Sequence, residues 1–147
     1  MGRLTISNSD LVYADTSIFI YTVEVHPNYY PLLQPLWSKF QAGEIGIVTS
    51  ELTLMETLVV PLRDGDTNLA NTYDQLLLSP SLQLIPIHQE ILRNAAQLRG
   101  DYNLKTPDAI HLATALRENC NLLLTNDVQF RRVTGLSVTI LQDALSD

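Results

Sequence analysis

Four acidic side chains stand where an α/β chain would place a metal-dependent site: Asp15, Glu56, Asp108 and Asp127. Asp15 and Asp127 each follow a short apolar run, whereas Glu56 and Asp108 lie among apolar residues in segments with helical spacing. A carboxylate on an apolar face is costly unless a positive charge compensates for it. Because few basic residues lie nearby in the sequence, a hard divalent cation is the natural partner. This pattern favours metal-assisted cleavage of a phosphate ester, with RNA as the leading substrate hypothesis.

Each of the four acids also has a purely structural explanation. Asp15 and Asp127 could cap the helices that follow them, because aspartate after a strand often does so. Asp108 could serve only the dipole of its helix, and Glu56 would face water if the helical phase were shifted by one residue. The set is more specific than any member, because all four must coincide at one end of one sheet.

The composition predicts one domain over residues 1–147, with a polar lead of about residues 1–10. With 46% hydrophobic and 17% charged residues, the chain can form a sizeable core without crosslinks. The single cysteine, Cys120, excludes an intrachain disulfide and disfavours a cysteine zinc site. No apolar run approaches the roughly 18 residues of a membrane span, and the polar N-terminus lacks a secretory signal. We therefore expect a cytoplasmic protein.

The net charge of −7 argues, taken alone, against a protein that attracts nucleic acid through its general field. The candidate site itself supplies a large part of this charge, and two divalent cations would neutralise that part. The acidity therefore predicts modest affinity for RNA, local basic contacts and dependence on metal.

Apolar runs alternate with longer segments of helical period, which predicts an α/β fold with a parallel sheet between helices. The predicted strands are Leu11–Ala14, Ile45–Thr49, Leu82–Ile85, Leu122–Thr125 and Val138–Leu141. The predicted helices are Ser17–Thr22, Tyr29–Gln41, Glu51–Val60, Thr67–Leu78, Gln89–Tyr102 and Thr106–Glu118, with a helical turn at Gln129–Arg132.

Three residue types suggest helix boundaries. Ser50 is a good N-cap for the helix after the second strand, and Pro61 is expected to stop that helix. Thr106 is expected to cap a later helix whose first residue is Pro107.

The predicted strands would bring Asp15 and Asp127 together. Ligands of open α/β sheets bind beyond the carboxyl ends of the strands, where the strand order reverses. If the first and fourth strands are neighbours, these two side chains face one crevice.

The predicted helices supply the other two acids. Leu52, Met55 and Val59 have the spacing of one apolar helix face, and Glu56 shares that face with Leu52. Asp108 lies in the first turn of its helix, where free N–H groups point toward such a crevice. Crowded carboxylates raise each other's pKa, and a bound cation reverses that effect.

Four segments resemble the PIN-domain family, including the VapC-type toxins. They are ADTSIFIY from Ala14, SELTLMETLV from Ser50, TPDAIHLATAL from Thr106 and LLLTNDVQF from Leu122. Their order spans nearly the whole chain; the second segment is weak alone, whereas the other three together are fairly specific.

The resemblance implies a three-layer α/β/α fold with a five-stranded parallel sheet, and an Mg²⁺- or Mn²⁺-dependent ribonuclease. The acids Asp15, Glu56, Asp108 and Asp127 take the family's acidic positions as metal ligands and catalytic groups. Thr125 and Ser17 match supporting hydroxyl positions. Gln129 stands where many relatives carry another Asp, which puts a fifth acidic ligand in doubt. The family further implies an antitoxin protein as a partner, and a homodimer.

Several polar residues near the motifs have competing interpretations. Asn126 could orient a metal-bound water, although a turn residue is the simpler interpretation. His111 could shuttle protons, but packing or hydrogen bonding beside the site is favoured. Arg131 and Arg132 follow a site residue directly and could contact RNA phosphates, against the alternative of solvated surface charges.

Other function classes compete with a nuclease. A non-catalytic PIN-like module that binds RNA or protein is the main alternative, although all four acids are present. A phosphatase of the haloacid-dehalogenase type needs an Asp where Ser17 stands. A phosphoacceptor receiver domain needs an Asp after the third strand, where Ile85, Pro86 and Ile87 offer none.

Overall fold

The computed structural model describes residues 2–146 and contains a sheet of five parallel strands between helices. The strands are β1 (Leu11–Ala14), β2 (Gly46–Ser50), β3 (Gln83–Ile85), β4 (Leu122–Thr125) and β5 (Ser137–Ile140). The α-helices are α1 (Thr16–Val23), α2 (Tyr30–Gln41), α3 (Leu52–Asp64), α4 (Thr67–Leu77), α5 (Gln89–Tyr102), α6 (Thr106–Arg117) and α7 (Leu141–Ser146), and a 3-10 helix spans Val128–Arg132. The predicted α/β/α fold with a five-stranded parallel sheet is confirmed.

The strand order is β3-β2-β1-β4-β5, so β1 lies between β2 and β4. The chain first extends the sheet to one side of β1 and then continues on the other side, which makes the β1–β4 boundary the point where the order reverses. Ala14 pairs with Leu124 at this boundary. The expected adjacency of the first and fourth strands is therefore confirmed, and their carboxyl ends open on one edge.

Side chains alternate between two apolar cores, one on each face of the sheet. Val12 and Ala14 of β1 lie in a core that includes residues of α1 and α2, whereas Tyr13 points to a core with α5 and α6. Strands buried on both faces explain why the apolar runs in the sequence are continuous rather than alternating.

Helix α3 corrects the predicted apolar face. Met55 and Val59 are 59% and 53% exposed, so of the three predicted residues only Leu52 is buried. The inward face carries Thr53 and Thr57 instead, and the Thr57 hydroxyl donates to the Thr53 carbonyl at 2.8 Å. Threonines that bond their own helix are satisfied when buried, so the apolar spacing alone gave the wrong phase.

The predicted stop at Pro61 is wrong, because α3 continues to Asp64. Pro61 lies in the last part of the helix, is buried, and removes only one backbone N–H from the ladder. Gly65 ends the helix in the left-handed region at φ 69°. Ser50 is the last strand residue and not the N-cap, although its hydroxyl accepts from the Leu52 N–H at 3.0 Å.

Several other helix and strand boundaries differ from the expectation by one residue. Thr106 is the first residue of α6 and Lys105 occupies the N-cap, with no side-chain hydrogen bond there. β5 begins one residue earlier than predicted, and α7 was not predicted. Within residues 2–146, no helix has the length and apolar character required to cross a bilayer.

Gly65 and Gly100 offer a matched test of the helix end. Gly65→Ala places a Cβ at positive φ and should lower the free energy of unfolding by about 1 kcal/mol. Gly100→Ala lies inside α5 with no heavy atom within 4 Å of the new Cβ, and should raise it by roughly 0.5–1 kcal/mol. Urea unfolding measures both. Equal effects would contradict the assigned end of α3.

Candidate active site

Asp15 is held in place by three donors. It is 8% exposed and caps α1. One carboxylate oxygen accepts from the Ser17 N–H at 3.1 Å and from the Ser17 hydroxyl at 2.6 Å, and the other accepts a short hydrogen bond from Thr125. Burial raises the pKa of Asp15, while the charge of His111 and the bonds from Ser17 and Thr125 oppose that shift. The predicted supporting hydroxyls are thus in contact with the first acid.

Asp127 follows β4 and caps the 3-10 helix. Its N–H donates to the Thr125 hydroxyl at 3.0 Å, and its carboxylate accepts from the Gln129 N–H at 2.9 Å. Thr125 therefore bonds both Asp15 and Asp127, which ties the ends of β1 and β4 together. Asp15 and Asp127 therefore both cap helices, as the structural explanation expected, and they also lie together at the ends of β1 and β4.

Asp108 contacts Asp127 from the first turn of α6. Partial burial, then the hydrogen bond and the charge of Asp127, raise the pKa of Asp108 to about 7. Asp15 adds a further like charge, while His111 opposes the rise. Two carboxylates that interact in this way are stabilised by a shared proton or by a nearby cation.

These three acids line one open cavity of about 500 Å³. The lining residues are Asp15, Ser17, Tyr21, Asp108, Asn126, Asp127, Val128 and Gln142. The cavity lies at the carboxyl ends of β1 and β4, where the sheet order reverses. The convergence predicted for Asp15, Asp108 and Asp127 is therefore observed.

Glu56 stands apart from that lining. Its carboxylate accepts from Thr16 at 2.6 Å and lies 2.9 Å from His111 Nε2. Burial alone would raise the pKa of Glu56, but the hydrogen bonds from His111 and Thr16 outweigh it and lower the pKa. Thr16 immediately follows Asp15, so Glu56 is linked to the cavity through one residue.

The donor set fits a hard divalent cation. Across residues 2–146, no three Asp, Glu, His or Cys side chains are placed to ligate one ion together. Mg²⁺ commonly uses one or two protein carboxylates and completes its coordination with water and substrate phosphate. The pair Asp108–Asp127, with Asp15 on the same cavity wall, matches that requirement.

Asn126 bridges two elements rather than projecting freely into the cavity. Its amide nitrogen donates to the Tyr21 hydroxyl at 3.1 Å, and its amide oxygen accepts from the Gln142 N–H at 2.8 Å. This arrangement connects β4 to α1 and α7, and a role of Asn126 in orienting a metal-bound water stays a prediction.

Arg131 and Arg132 are exposed and have partners within the protein. Arg131 forms a two-pronged ion pair with Asp143, with Nε to Oδ2 at 3.1 Å. Arg132 donates to the side chain and the carbonyl of Gln129. An RNA contact by either residue stays a prediction.

Three residues of this region were not singled out as site residues from the sequence. Thr16 bonds Glu56, Tyr13 bonds His111 at 2.6 Å, and Tyr21 lines the cavity. Tyr21 also packs against His26 and Tyr29, with ring centroids 4.9 and 4.8 Å away. Thr16 directly follows Asp15 and Tyr13 precedes it by two residues, and this proximity in sequence was the available signal.

A family model for the PIN domain matches residues 12–136, which is most of the chain. The chain belongs to the PIN-domain family. No curated protein matches it. Among solved structures, a toxin–antitoxin complex from Klebsiella pneumoniae contains a similar chain, at 26% identity and a TM-score of 0.68, with 88% of this chain and 97% of that chain covered.

Two further solved structures share the PIN fold. VapBC2 from Rickettsia felis, bound to a DNA fragment from its promoter, aligns at 21% identity and a TM-score of 0.68 over 88% of this chain and 98% of that chain. VapC20 from Mycobacterium tuberculosis, a toxin that cleaves the sarcin–ricin loop, aligns at 16% identity and a TM-score of 0.64 over 76% and 86%.

Asp108→Asn should stabilise the metal-free protein near neutral pH. The pKa of Asp108 is raised in the fold, so its ionisation opposes folding, and stability is lost as pH rises from about 4 to about 7. We expect the variant to raise Tm by roughly 2–5 °C at pH 8, with a smaller gain at pH 4. Asp101→Asn, at an exposed position of α5, is the control. A lower Tm for Asp108→Asn at pH 8 would contradict the described crowding.

Proposed function

We propose that this PIN-domain protein is a metal-dependent endoribonuclease that hydrolyses RNA phosphodiester bonds. The observation that carries the proposal is the placement of Asp15, Asp108 and Asp127 around one open cavity at the β1–β4 boundary. Mg²⁺ or Mn²⁺ is the proposed cofactor, because crowded carboxylate oxygens are hard ligands. Membership in the PIN-domain family supports the same chemistry.

The carboxylates of Asp108 and Asp127 would hold the cation, with Asp15 on the same cavity wall and Glu56 linked to the cavity through Thr16. A cation bound there would supply polarisation of a phosphoryl oxygen and a water of lowered pKa. The Asp108–Asp127 pair would stay ionised beside such a positive charge.

A protein hydroxyl is a poor choice of nucleophile here. Ser17 and Thr125 both direct their hydroxyl hydrogens at Asp15, and Thr16 directs its own at Glu56. These hydroxyls are committed to orienting carboxylates. We therefore assign the attacking oxygen to water, without a covalent protein intermediate.

Structured RNA is the first substrate to test, because one neighbour of the same fold is a toxin that cleaves the sarcin–ricin loop. Arg131 and Arg132 are the proposed phosphate contacts. With a net charge of −7 and both arginines partnered, we expect weak binding of RNA in the absence of metal.

The test is cleavage of a mixed structured RNA by the purified protein with Mn²⁺ or Mg²⁺. We expect cleavage that EDTA abolishes and that falls to the EDTA level in Asp15→Asn and Asp108→Asn. Asp101→Asn removes an exposed acid of α5 outside the cavity and should retain activity. Folded wild-type protein that neither cleaves RNA nor binds metal would favour the non-catalytic binding module instead.

We further propose protein partners, a second copy of the chain and an antitoxin. The outer face of α3 exposes apolar side chains that a partner would cover, namely Met55, Val59, Val60 and Leu62, which are 46–66% exposed. The toxin–antitoxin complex that contains a similar chain supports the antitoxin.

Introducing negative charge on the exposed face of α3 tests the homodimer. Light scattering should give the wild-type protein twice the 16.5 kDa chain mass, and Met55→Glu combined with Val59→Glu should give a single chain mass. Buried apolar area drives such association, and two carboxylates oppose its burial. Gln97→Glu on α5 is the control. A monomeric wild type would contradict the homodimer.

A further inference from the structure

A buried relay connects β1 to Glu56 through α6. Tyr13 is 0% exposed and His111 is 3% exposed. The Tyr13 hydroxyl lies 2.6 Å from His111 Nδ1, and His111 Nε2 lies 2.9 Å from Glu56 Oε1. The two rings meet edge to face with centroids 5.7 Å apart. The imidazole is thus engaged at both nitrogens, and its contacts decide where its hydrogen resides.

The Glu56 end requires a hydrogen on Nε2. An ionised carboxylate only accepts hydrogen bonds, and Glu56 already accepts one from Thr16. The 2.9 Å contact is therefore a hydrogen bond only when His111 Nε2 donates. The opposite tautomer would set the Nε2 lone pair against the carboxylate oxygen.

The Tyr13 end is matched when Nδ1 accepts. Burial raises the pKa of Tyr13, so the phenol keeps its hydrogen, and His111 Nδ1 lies 2.6 Å from that hydroxyl. An imidazole with its single hydrogen on Nε2 presents a lone pair at Nδ1. The tautomer that Glu56 requires is therefore the one that can accept from Tyr13.

We propose that Tyr13 is a positioning residue of the candidate active site: its hydroxyl engages His111 Nδ1 and holds the imidazole in the orientation in which Nε2–H meets the Glu56 carboxylate. The effect on metal binding rests on the proposed function, whereas the hydrogen bond at Nδ1 does not. Hydrogen-bond partners behind metal-site residues change metal affinity by about 10–100-fold when they are removed.

The experiment compares Tyr13→Phe with Tyr73→Phe. Each change removes one hydroxyl and keeps a fully buried ring, and Tyr73 donates to Glu24, a residue that does not line the cavity. Imidazole ¹⁵N spectra of the metal-free proteins report the tautomer of His111. Calorimetric titration with Mn²⁺ reports the Kd of each variant.

We expect the wild-type protein and Tyr73→Phe to show the Nε2–H tautomer and the same Kd for Mn²⁺. Tyr13→Phe should remove the hydrogen bond at His111 Nδ1, which shifts the ¹⁵N resonance of Nδ1, and should raise the Kd by about 10-fold or more. An Nδ1–H tautomer in the wild-type protein, or an unchanged Nδ1 resonance in Tyr13→Phe, would overturn the proposal.

A glutamine at position 111 separates positioning from packing. The amide of His111→Gln can donate to Glu56 but lacks the ring nitrogen that Tyr13 engages, so Tyr13→Phe in that background should change the Kd less than about two-fold. An equal loss of affinity in both backgrounds would assign Tyr13 to packing alone and overturn the proposal. A wild type that binds no Mn²⁺ would contradict the proposed function, and the ¹⁵N comparison would still decide the role of Tyr13.

Discussion

The crowding of carboxylates at one edge of the sheet is the constraint on which the site depends. The pKa of Asp108 is raised to about 7. Partial burial is the largest cause, the hydrogen bond and charge of Asp127 come next, and the charge of Asp15 adds to them. Like charges so placed destabilise the fold unless a proton or a cation compensates for them. Like-charged groups that destabilise the fold and line an open cavity are typical of a functional site.

The surrounding structure holds these charges in place. Adjacent parallel strands β1 and β4 end at the same edge, and Thr125 bonds the acids that follow both. Ser17 orients Asp15 from the first turn of α1. Behind Glu56, the buried side chains of Tyr13 and His111 are hydrogen-bonded to each other, and His111 contacts the Glu56 carboxylate. These contacts orient Glu56.

Much of this architecture was predictable from the sequence. Continuous apolar runs ended by Asp15 and Asp127 predicted β1, β4 and their convergence, because parallel strands are buried on both faces. The phase of α3 was not predictable from apolar spacing, since Thr53 and Thr57 face inward. The Thr57 hydroxyl bonds a carbonyl of its own helix, and the Thr53 hydroxyl bonds Thr49 of β2. The contact of Tyr13 with His111 joins residues 98 positions apart, and no local pattern reports such a pair.

The most direct test of the central claim is a crystal of the protein grown with Mn²⁺ and measured for anomalous scattering. The account predicts a manganese peak in the cavity lined by Asp15, Asp108 and Asp127, within bonding distance of carboxylate oxygens from at least two of them. Saturating Mn²⁺ with no peak in this cavity, or a peak held by acids elsewhere on the surface, would contradict the assignment of these carboxylates as a metal site.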